Sequence, residues 1–341
     1  MARPIVVLCP VRNSEHDLRR SLPVWSRIAD HIVLADQASD DRTREVAAQF
    51  PKARVVPNPG IGYDEQFRNR ILIEAGREFS SNAIFFYLDA DELPSANIVN
   101  SPEWQRFQTF DPGTAGVLRW VNFFRTTAQY IARGPGSPGP NRMLFVDDGR
   151  PFKAFGKIHT PRGVGVDAPR QIFLFHDVVA LHYGLLDFEA LIVRNHFYKA
   201  HYLVGGARGY ALNNRNHSWF YAVGDEDLAT SPPVWLEGWM KDGLDVTSMS
   251  RDLPGWHAIQ VLRWMKDLGV RHFHRLDIWN VDWEALRQAA LAAGLSGIPE
   301  APIEPPARLR RVLFEIASGR ALVTRKLARA LGMGLWRIAS W

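Results

Sequence analysis

Ile84-Phe85-Phe86-Tyr87-Leu88-Asp89-Ala90-Asp91-Glu92 is the stretch on which the reading of this chain turns. Five large apolar residues in a row describe a strand buried on both faces, the pattern of a parallel sheet. The run stops on two carboxylates one residue apart, Asp89 and Asp91, with Glu92 beside them. In open α/β sheets, ligands sit at the carboxyl ends of the strands. Two acids there either hold a divalent cation through oxygen or are neutralised by basic side chains. An acidic turn after a strand is the plain alternative.

Toward the N-terminus, short apolar runs alternate with amphipathic ones. Ile5-Val6-Val7-Leu8-Cys9 predicts a buried strand that breaks at Pro10-Val11-Arg12-Asn13. Ser14, with Asp17 at the capping-box position, predicts a helix start, and Leu18, Leu22, Trp25 and Ile28 follow at helical spacing. His31–Asp36 predicts a second strand ending on an acid. Asp40 or Asp41 is expected to cap a helix over 42–50. Ala53–Val56 predicts a third strand. Phe67, Ile71, Ala75 and Phe79 form an i+4 row, with Asn69 expected as a surface amide. Strands alternating with helices predict a parallel sheet with helices on both sides. The four strands would all end at one rim. There they gather Pro10–Asn13, Asp36, the stretch 60–69 and Asp89–Asp91, a setting for a nucleotide diphosphate with a metal ion.

These segments carry a resemblance. Pro10-Val11-Arg12-Asn13, the run from Ile32 through Asp36 to Asp41-Arg42-Thr43, Arg68-Asn69, and Leu88-Asp89-Ala90-Asp91-Glu92 resemble, in order and spacing, the family 2 glycosyltransferases. The resemblance covers residues 4–95. It departs at Arg12, where the family often has an aromatic residue, and at Ala38, where it often has glycine. The alanine suggests a turn without positive φ. The resemblance implies a GT-A fold: α/β and Rossmann-like, with a mainly parallel sheet, here followed by a helical C-terminal extension. It implies that Pro10, Val11, Arg12 and Asn13 lie against the nucleotide and that Asp36 accepts a hydrogen bond from the base. Arg68 would lie near the base or diphosphate. Asp89 and Ala90 would face the ribose, Asp89 also reaching the metal, and Asp91 would ligate Mn²⁺ or Mg²⁺. The donor would be a UDP- or GDP-sugar.

Further on the signals are looser. Gly116–Phe124, Asn141–Val146, Ile172–Phe175 and Val178–His182 read as strands, and Gly134–Pro140 as a loop. Arg142-Met143-Leu144-Phe145, Gly156-Lys157-Ile158-His159-Thr160 and Leu181-His182 are similar to later family segments, but Thr160 stands where the family has an acid. An inverting transfer needs a base for the acceptor hydroxyl. The candidates are then His159, Asp187, Asp225 and Glu226. His182 or His159 is a candidate third metal ligand. Seven tryptophans from Trp219 to Trp283 read as core aromatics or as a sugar-stacking platform.

Composition sets outer limits. Of 341 residues, 46% are hydrophobic and 23% charged, ordinary for a globular protein. One cysteine, Cys9, excludes an internal disulfide and reads as a buried thiol. No secretory signal is visible, so the expected location is cytoplasmic. The net charge of +5 is uneven, because residues 306–341 hold eight basic residues against one acid. That leaves the remainder acidic and argues against a nucleic-acid footprint. The basic tail repeats apolar residues at helical spacing. It reads either as a peripheral contact with an anionic membrane, on its inner face, or as a helix docked on the protein itself.

The expected organisation is a GT-A domain over 1–225, a helical acceptor-side extension over 226–298, and a Pro-rich linker with a basic amphipathic helix over 299–341. The expected function is inverting, metal-dependent transfer of a sugar to a hydroxyl of a surface glycan or lipid-linked saccharide, as in polysaccharide biosynthesis. Two rivals stand beside it: a non-catalytic nucleotide-sugar binding or scaffold protein, and a phosphotransferase with Asp89 as nucleophile.

Overall fold

The computed structural model describes residues 3–59, 65–151, 169–206, 209–248, 255–320 and 333–340, with backbone alone at 333–335. The chain forms two compact units. One comprises Met1–Ala132, Gly136–Gly184 and Ala229–Ser248; the other comprises Arg133–Pro135, Leu185–Leu228 and Met249–Trp341.

The first unit is α/β. Strands β1 (Ile5–Val11), β2 (His31–Asp36), β3 (Ala53–Pro57) and β4 (Ile84–Tyr87) pair in parallel in the order β3-β2-β1-β4. Every residue of β4 is buried, as a doubly covered strand requires. Helices α1 (Glu15–Ile28), α2 (Thr43–Ala47) and α3 (Glu65–Arg77) form the connections. The buried side of α3 is Asn69, Leu72, Ile73, Ala75 and Gly76; of the expected row, Ala75 is buried, and Ile71 and Phe79 pack partly buried against the same core. A Cβ on Gly76 would stand 2.8 Å from Phe85 and 3.1 Å from Leu8, so glycine lets α3 pack closely over these two side chains. Asn69 is therefore not a surface amide. It is 4% exposed, and its Oδ1 accepts a hydrogen bond of 2.5 Å from the Tyr87 hydroxyl. Cys9 is buried as expected.

Beyond β4 the sheet turns mixed. Strand β8 (Gly139–Val146) runs antiparallel to β4 and to β6 (Thr114–Phe124). β6 pairs in parallel with β9 (Gln171–His182), one continuous strand where two were expected. Three strands among the described residues were not expected: β5 (Glu92–Pro94) pairs antiparallel with the end of β9, β7 (Thr126–Ile131) pairs with β6, and β10 (Leu228–Thr230) pairs with β7. The fold class is thus the expected α/β one, with its parallel core at the N-terminal end.

Helices α4 (Pro102–Phe107) and α7 (Glu237–Lys241) also belong to the first unit; the second unit is helical and includes α6 (Tyr210–Asn216). Helices α5 (Phe188–Val204), α8 (Trp256–Leu268) and α9 (Trp283–Ala292) share one apolar core around Phe197, Leu262, Phe273 and Trp283. The C-terminal segment belongs to this unit. Helices α10 (Arg308–Ser318) and α11 (Met333–Ala339) bury Phe314, Ala317, Trp336 and Ala339 together. Asn214 donates to Ser340 Oγ at 2.8 Å, and Arg320 pairs with the buried Asp277 at 2.7 Å. The described tail residues dock on the helical unit through these contacts. Leu309 and Val312 stay on the outer side, 71% and 40% exposed. No helix among the described residues is long and apolar enough to cross a membrane.

Candidate functional site

The carboxyl ends of β1, β2 and β4 lie side by side because the strands are parallel and in register, Val11 opposite Asp36 and Leu8 opposite Tyr87. Two turns there adopt left-handed backbone, at Asn13 (φ 49°) and Ala38 (φ 52°). The expectation that Ala38 avoids positive φ is therefore corrected. Left-handed alanine costs about 1–2 kcal/mol. Neighbouring side chains offset that cost. Ser39 donates to Asp36 Oδ1 from its amide (3.2 Å) and its hydroxyl (2.5 Å), and its Oγ accepts from the Asn13 amide at 2.9 Å. The Asn13 side chain donates to Asp40 at 2.6 Å and accepts from the Asp40 amide at 2.9 Å. The β1 and β2 turns are thereby tied together.

Asp36 is buried, its second oxygen paired with Arg44 at 2.7 Å. Any base that it reads must share the carboxylate with Ser39 and Arg44. Arg44 itself is more than half exposed. Asp41 holds the helices at this rim. One oxygen accepts from the Glu15 amide at 3.1 Å, the first N–H of α1, and the other from the Thr43 amide at 2.9 Å. Asp41 thus takes up an N–H at the start of each helix from the position before Arg42, the N-cap of α2, and at α1 it stands in for Ser14, whose side chain makes no cap bond.

After β4 the chain turns through Asp89-Ala90-Asp91 and re-enters the sheet as β5. Asp89 and Asp91 are half-buried, and Glu92 is fully buried. Glu92 pairs across the ladder with His182, and the Asp91 carbonyl accepts from the Tyr183 amide at 2.9 Å. The pairing brings His182 Nε2 to 3.3 Å from Asp91 Oδ2. His182 Nδ1 lies 2.6 Å from Asn122 Oδ1, while the Asn122 amide nitrogen donates to the Gly136 carbonyl at 2.8 Å. That second bond fixes which end of the amide faces the ring. Since Asn122 presents oxygen, Nδ1 must carry the proton. In the neutral ring Nε2 then presents a lone pair to a carboxylate oxygen. Two acceptors face each other, and the contact becomes favourable only with a proton or a cation between them.

The donor set suits a hard divalent cation: carboxylate oxygens and a neutral imidazole whose other nitrogen is engaged. Among the described residues, no three His, Cys, Asp or Glu side chains are grouped to hold a metal. Asp91 and His182 could supply two ligands, with substrate phosphates supplying others. Beneath it lies Cys9, whose thiol is pushed well above its ordinary range by burial, with Asp89, Glu92 and Asp91 adding to the effect. Arg68 opposes that shift, which places its charge in the same field.

Other expected site residues lie elsewhere. Asp187, Asp225 and Glu226 belong to the second unit. Asp187 caps α5, accepting from the Ala190 amide at 2.9 Å, and Asp225 and Glu226 are exposed on a short 3-10 turn. His159 and the 156–160 segment lie outside the described residues, as does the stretch 60–64. Trp235, Trp239 and Trp283 are buried core residues, which removes them as a platform. Sequence reasoning missed Asn122, Trp120 and the role of Glu92. No local pattern marks them, because they converge through β6–β9 and β5–β9 pairing over long sequence separations.

No family model matches the chain, and no curated protein matches it. Among solved structures it is similar to glucosyl-3-phosphoglycerate synthase from Mycobacterium tuberculosis in complex with Mn²⁺, uridine diphosphate and glucosyl-3-phosphoglycerate, at 20% identity and a TM-score of 0.26, covering 36% of this chain and 44% of that one. The chain thus spans less than half the length of that structure. It is similar to 4-diphosphocytidyl-2C-methyl-D-erythritol synthase at 15% identity and a TM-score of 0.31, covering 43% and 76% of the two chains. It is similar to S. aureus TarS 1–349 at 14% identity and a TM-score of 0.35, covering 99% and 90%.

Proposed function

We propose that this chain is an inverting, divalent-metal-dependent glycosyltransferase with a nucleotide-diphospho-sugar donor. The observation that carries the reading is the Asp91–His182 pair at the carboxyl rim, with the imidazole tautomer set by Asn122. Asp91 and His182 would hold Mn²⁺ or Mg²⁺, with Asp89 beside them. When bound, the cation would neutralise charge on the leaving diphosphate. Pro10–Asn13 and Asp36 would take the nucleoside, with Asp36 accepting from a uracil- or guanine-type N–H. Arg68 would face the diphosphate, and Ala90 would leave room for the ribose.

The acceptor in this reading is a hydroxyl of a surface glycan or lipid-linked saccharide. Its base is sought among His159, Asp225 and Glu226, since Asp187 already caps a helix. The outer side of α10, with Leu309, Val312, Arg308 and Arg311 exposed, supports a peripheral contact with an anionic membrane at its cytoplasmic face. The phosphotransferase rival needs Asp-x-Asp on the first strand of its core; here the motif follows the fourth.

A panel of UDP- and GDP-sugars, assayed for hydrolysis with Mn²⁺ and with chelator, tests the reading. Metal-dependent release of nucleoside diphosphate from at least one donor is the expected result. Nucleotide binding without turnover would favour the binding-protein rival.

A further inference from the structure

Glu92 is fully buried at the base of the Asp89-Ala90-Asp91 turn. Its two carboxylate oxygens have different tasks. Oε2 accepts from the Asp89 amide at 2.9 Å, which closes the turn. Oε1 accepts from the Trp120 indole N–H at 2.6 Å. The Trp120 ring in turn packs on the His182 ring, with centroids 4.4 Å apart and planes tilted by 32°. The Glu92 carbonyl accepts from the buried Trp25 indole of α1 at 3.1 Å. One residue therefore connects the turn bearing Asp91 with the aromatic surface against which His182 rests. Asn122 sets the rotation and tautomer of that imidazole, and Trp120 sets its plane.

We propose that Glu92 is a positioning residue for the site: without touching the cation, it fixes the separation of Asp91 and His182 through the Asp89 amide and the Trp120 indole. The inference rests on the metal-site reading for its functional consequence, but its geometric content stands apart from that reading. Two N–H donors converge on Glu92, and only a carboxylate offers an acceptor to each. A glutamine amide has one oxygen and one NH₂ group, so Glu92→Gln sets a donor against a donor at one of the two contacts. Trp120→Phe removes one of those donors and keeps a ring on His182. The combined variant has a single donor for a single oxygen.

The test measures Mn²⁺ affinity by calorimetry in the presence of UDP. Alongside it, the His182 resonances are read in histidine-labelled, metal-free protein, assigned with His182→Gln. E92Q is expected to bind Mn²⁺ about tenfold to a hundredfold more weakly, as for other residues that orient ligands, and to move the His182 resonances. W120F is expected to lose several-fold, and E92Q/W120F to bind more tightly than E92Q alone. That recovery is not expected of a residue whose loss merely loosens the fold. If E92Q does not fold, W120F decides: a moved His182 signal with weaker Mn²⁺ binding supports the inference, and an unchanged one overturns it. Unchanged affinity and resonances in folded E92Q overturn it, as does a double variant weaker than E92Q. Wild-type protein that binds no Mn²⁺ with UDP rejects the metal reading alone. The His182 resonances in E92Q and W120F then decide the positioning role without it.

Discussion

Each unit contains a histidine whose tautomer an asparagine sets, and the two sites have opposite outcomes. At the rim, His182 gives its Nδ1 proton to Asn122 and turns Nε2 toward Asp91. In the helical unit, His196 faces Asn280 Oδ1 with Nε2 at 2.8 Å, while Asn280 donates its own amide to the Tyr221 hydroxyl. There Nε2 carries the proton, the ring is fully buried, and burial, with Lys199 adding, holds its basicity well below the ordinary range. The carboxylate beside it, Asp277, is met by Lys199 at 3.3 Å and Arg320 at 2.7 Å. The difference lies in who faces the carboxylate. A buried acid met by two cations is a structural tie. A half-buried acid that faces an imidazole nitrogen can share that nitrogen with a charge that arrives.

The strongest challenge to this contrast is Asp277→Asn. Burial opposes the Asp277 charge, yet Lys199 and Arg320 hold its carboxyl below the usual range. Removing it strands two cations in the interior. A loss of about 3–5 kcal/mol is expected, read by denaturant unfolding, together with loosening of α10, whose end Arg320 anchors. Stability within about 1 kcal/mol of wild type would show that the network is not the tie described here.

Asp91→Asn should do the reverse. The fold should hold, because the Asp91 carbonyl, not its side chain, bonds Tyr183. Metal-dependent turnover should fall by roughly 10²–10³, the scale of losing one charge-stabilising group in an active site. A variant that keeps wild-type turnover and metal dependence removes Asp91 from the site. One that loses its cooperative melt makes the rim structural too.

A smaller effect separates the nucleoside end of the rim from the metal end. Asp36→Ala should weaken UDP or GDP binding by about 1.5–3 kcal/mol, the worth of a hydrogen bond to a charged acceptor. Mn²⁺ binding should change little. Part of the loss would come from Arg44 and Ser39, which lose their shared acceptor. Arg44→Ala is the control for that part. Equal nucleotide affinity in Asp36→Ala by calorimetry would sink the assignment.

The rim was largely legible in the sequence because its parts are local. A doubly buried strand needs an unbroken apolar run, and a strand end needs a break, so β1, β2 and β4 and the acids after them stand out along the chain. What escaped is what pairing brings from afar. β5 is three residues long and begins with a buried acid, which no apolar pattern marks. Asn122 and Trp120 join His182 only because β6 lies parallel to β9. Asn69 was read as surface because amides usually are, yet the Tyr87 hydroxyl supplies the partner that burial demands. Ala38 misled because a residue type reports what a turn prefers and not what its neighbours can enforce. The tail's arginines dominated its reading, and one of them, Arg320, turned out to be an internal tie.

The gentlest probe of the contrast is pH. Burial lowers the Lys199 ammonium to about 8, with Asp277 opposing the shift and Arg320 adding to it. The unfolded chain titrates its lysines near 10.4. Between those two values the unfolded state holds more protons than the folded one, so stability must rise with pH through that window. The sign is opposite to that of a lysine stabilised by its partner. Below about pH 7 both states are protonated and the burial penalty is present in full. From about pH 7 to about pH 9 the folded state sheds the proton first, and the gain integrates to about 1 kcal/mol. Lys199→Met should flatten this part of the profile, and it should also weaken the dependence on the acid side, because Lys199 is one of the two cations that hold the Asp277 carboxyl low. Rim variants such as Asp91→Asn should keep the rise. Parallel profiles for wild type and Lys199→Met would mean that Lys199 is charged at no cost in the folded state. The buried network would then hold its ions as comfortably as water does, and the contrast with the rim would lose its basis.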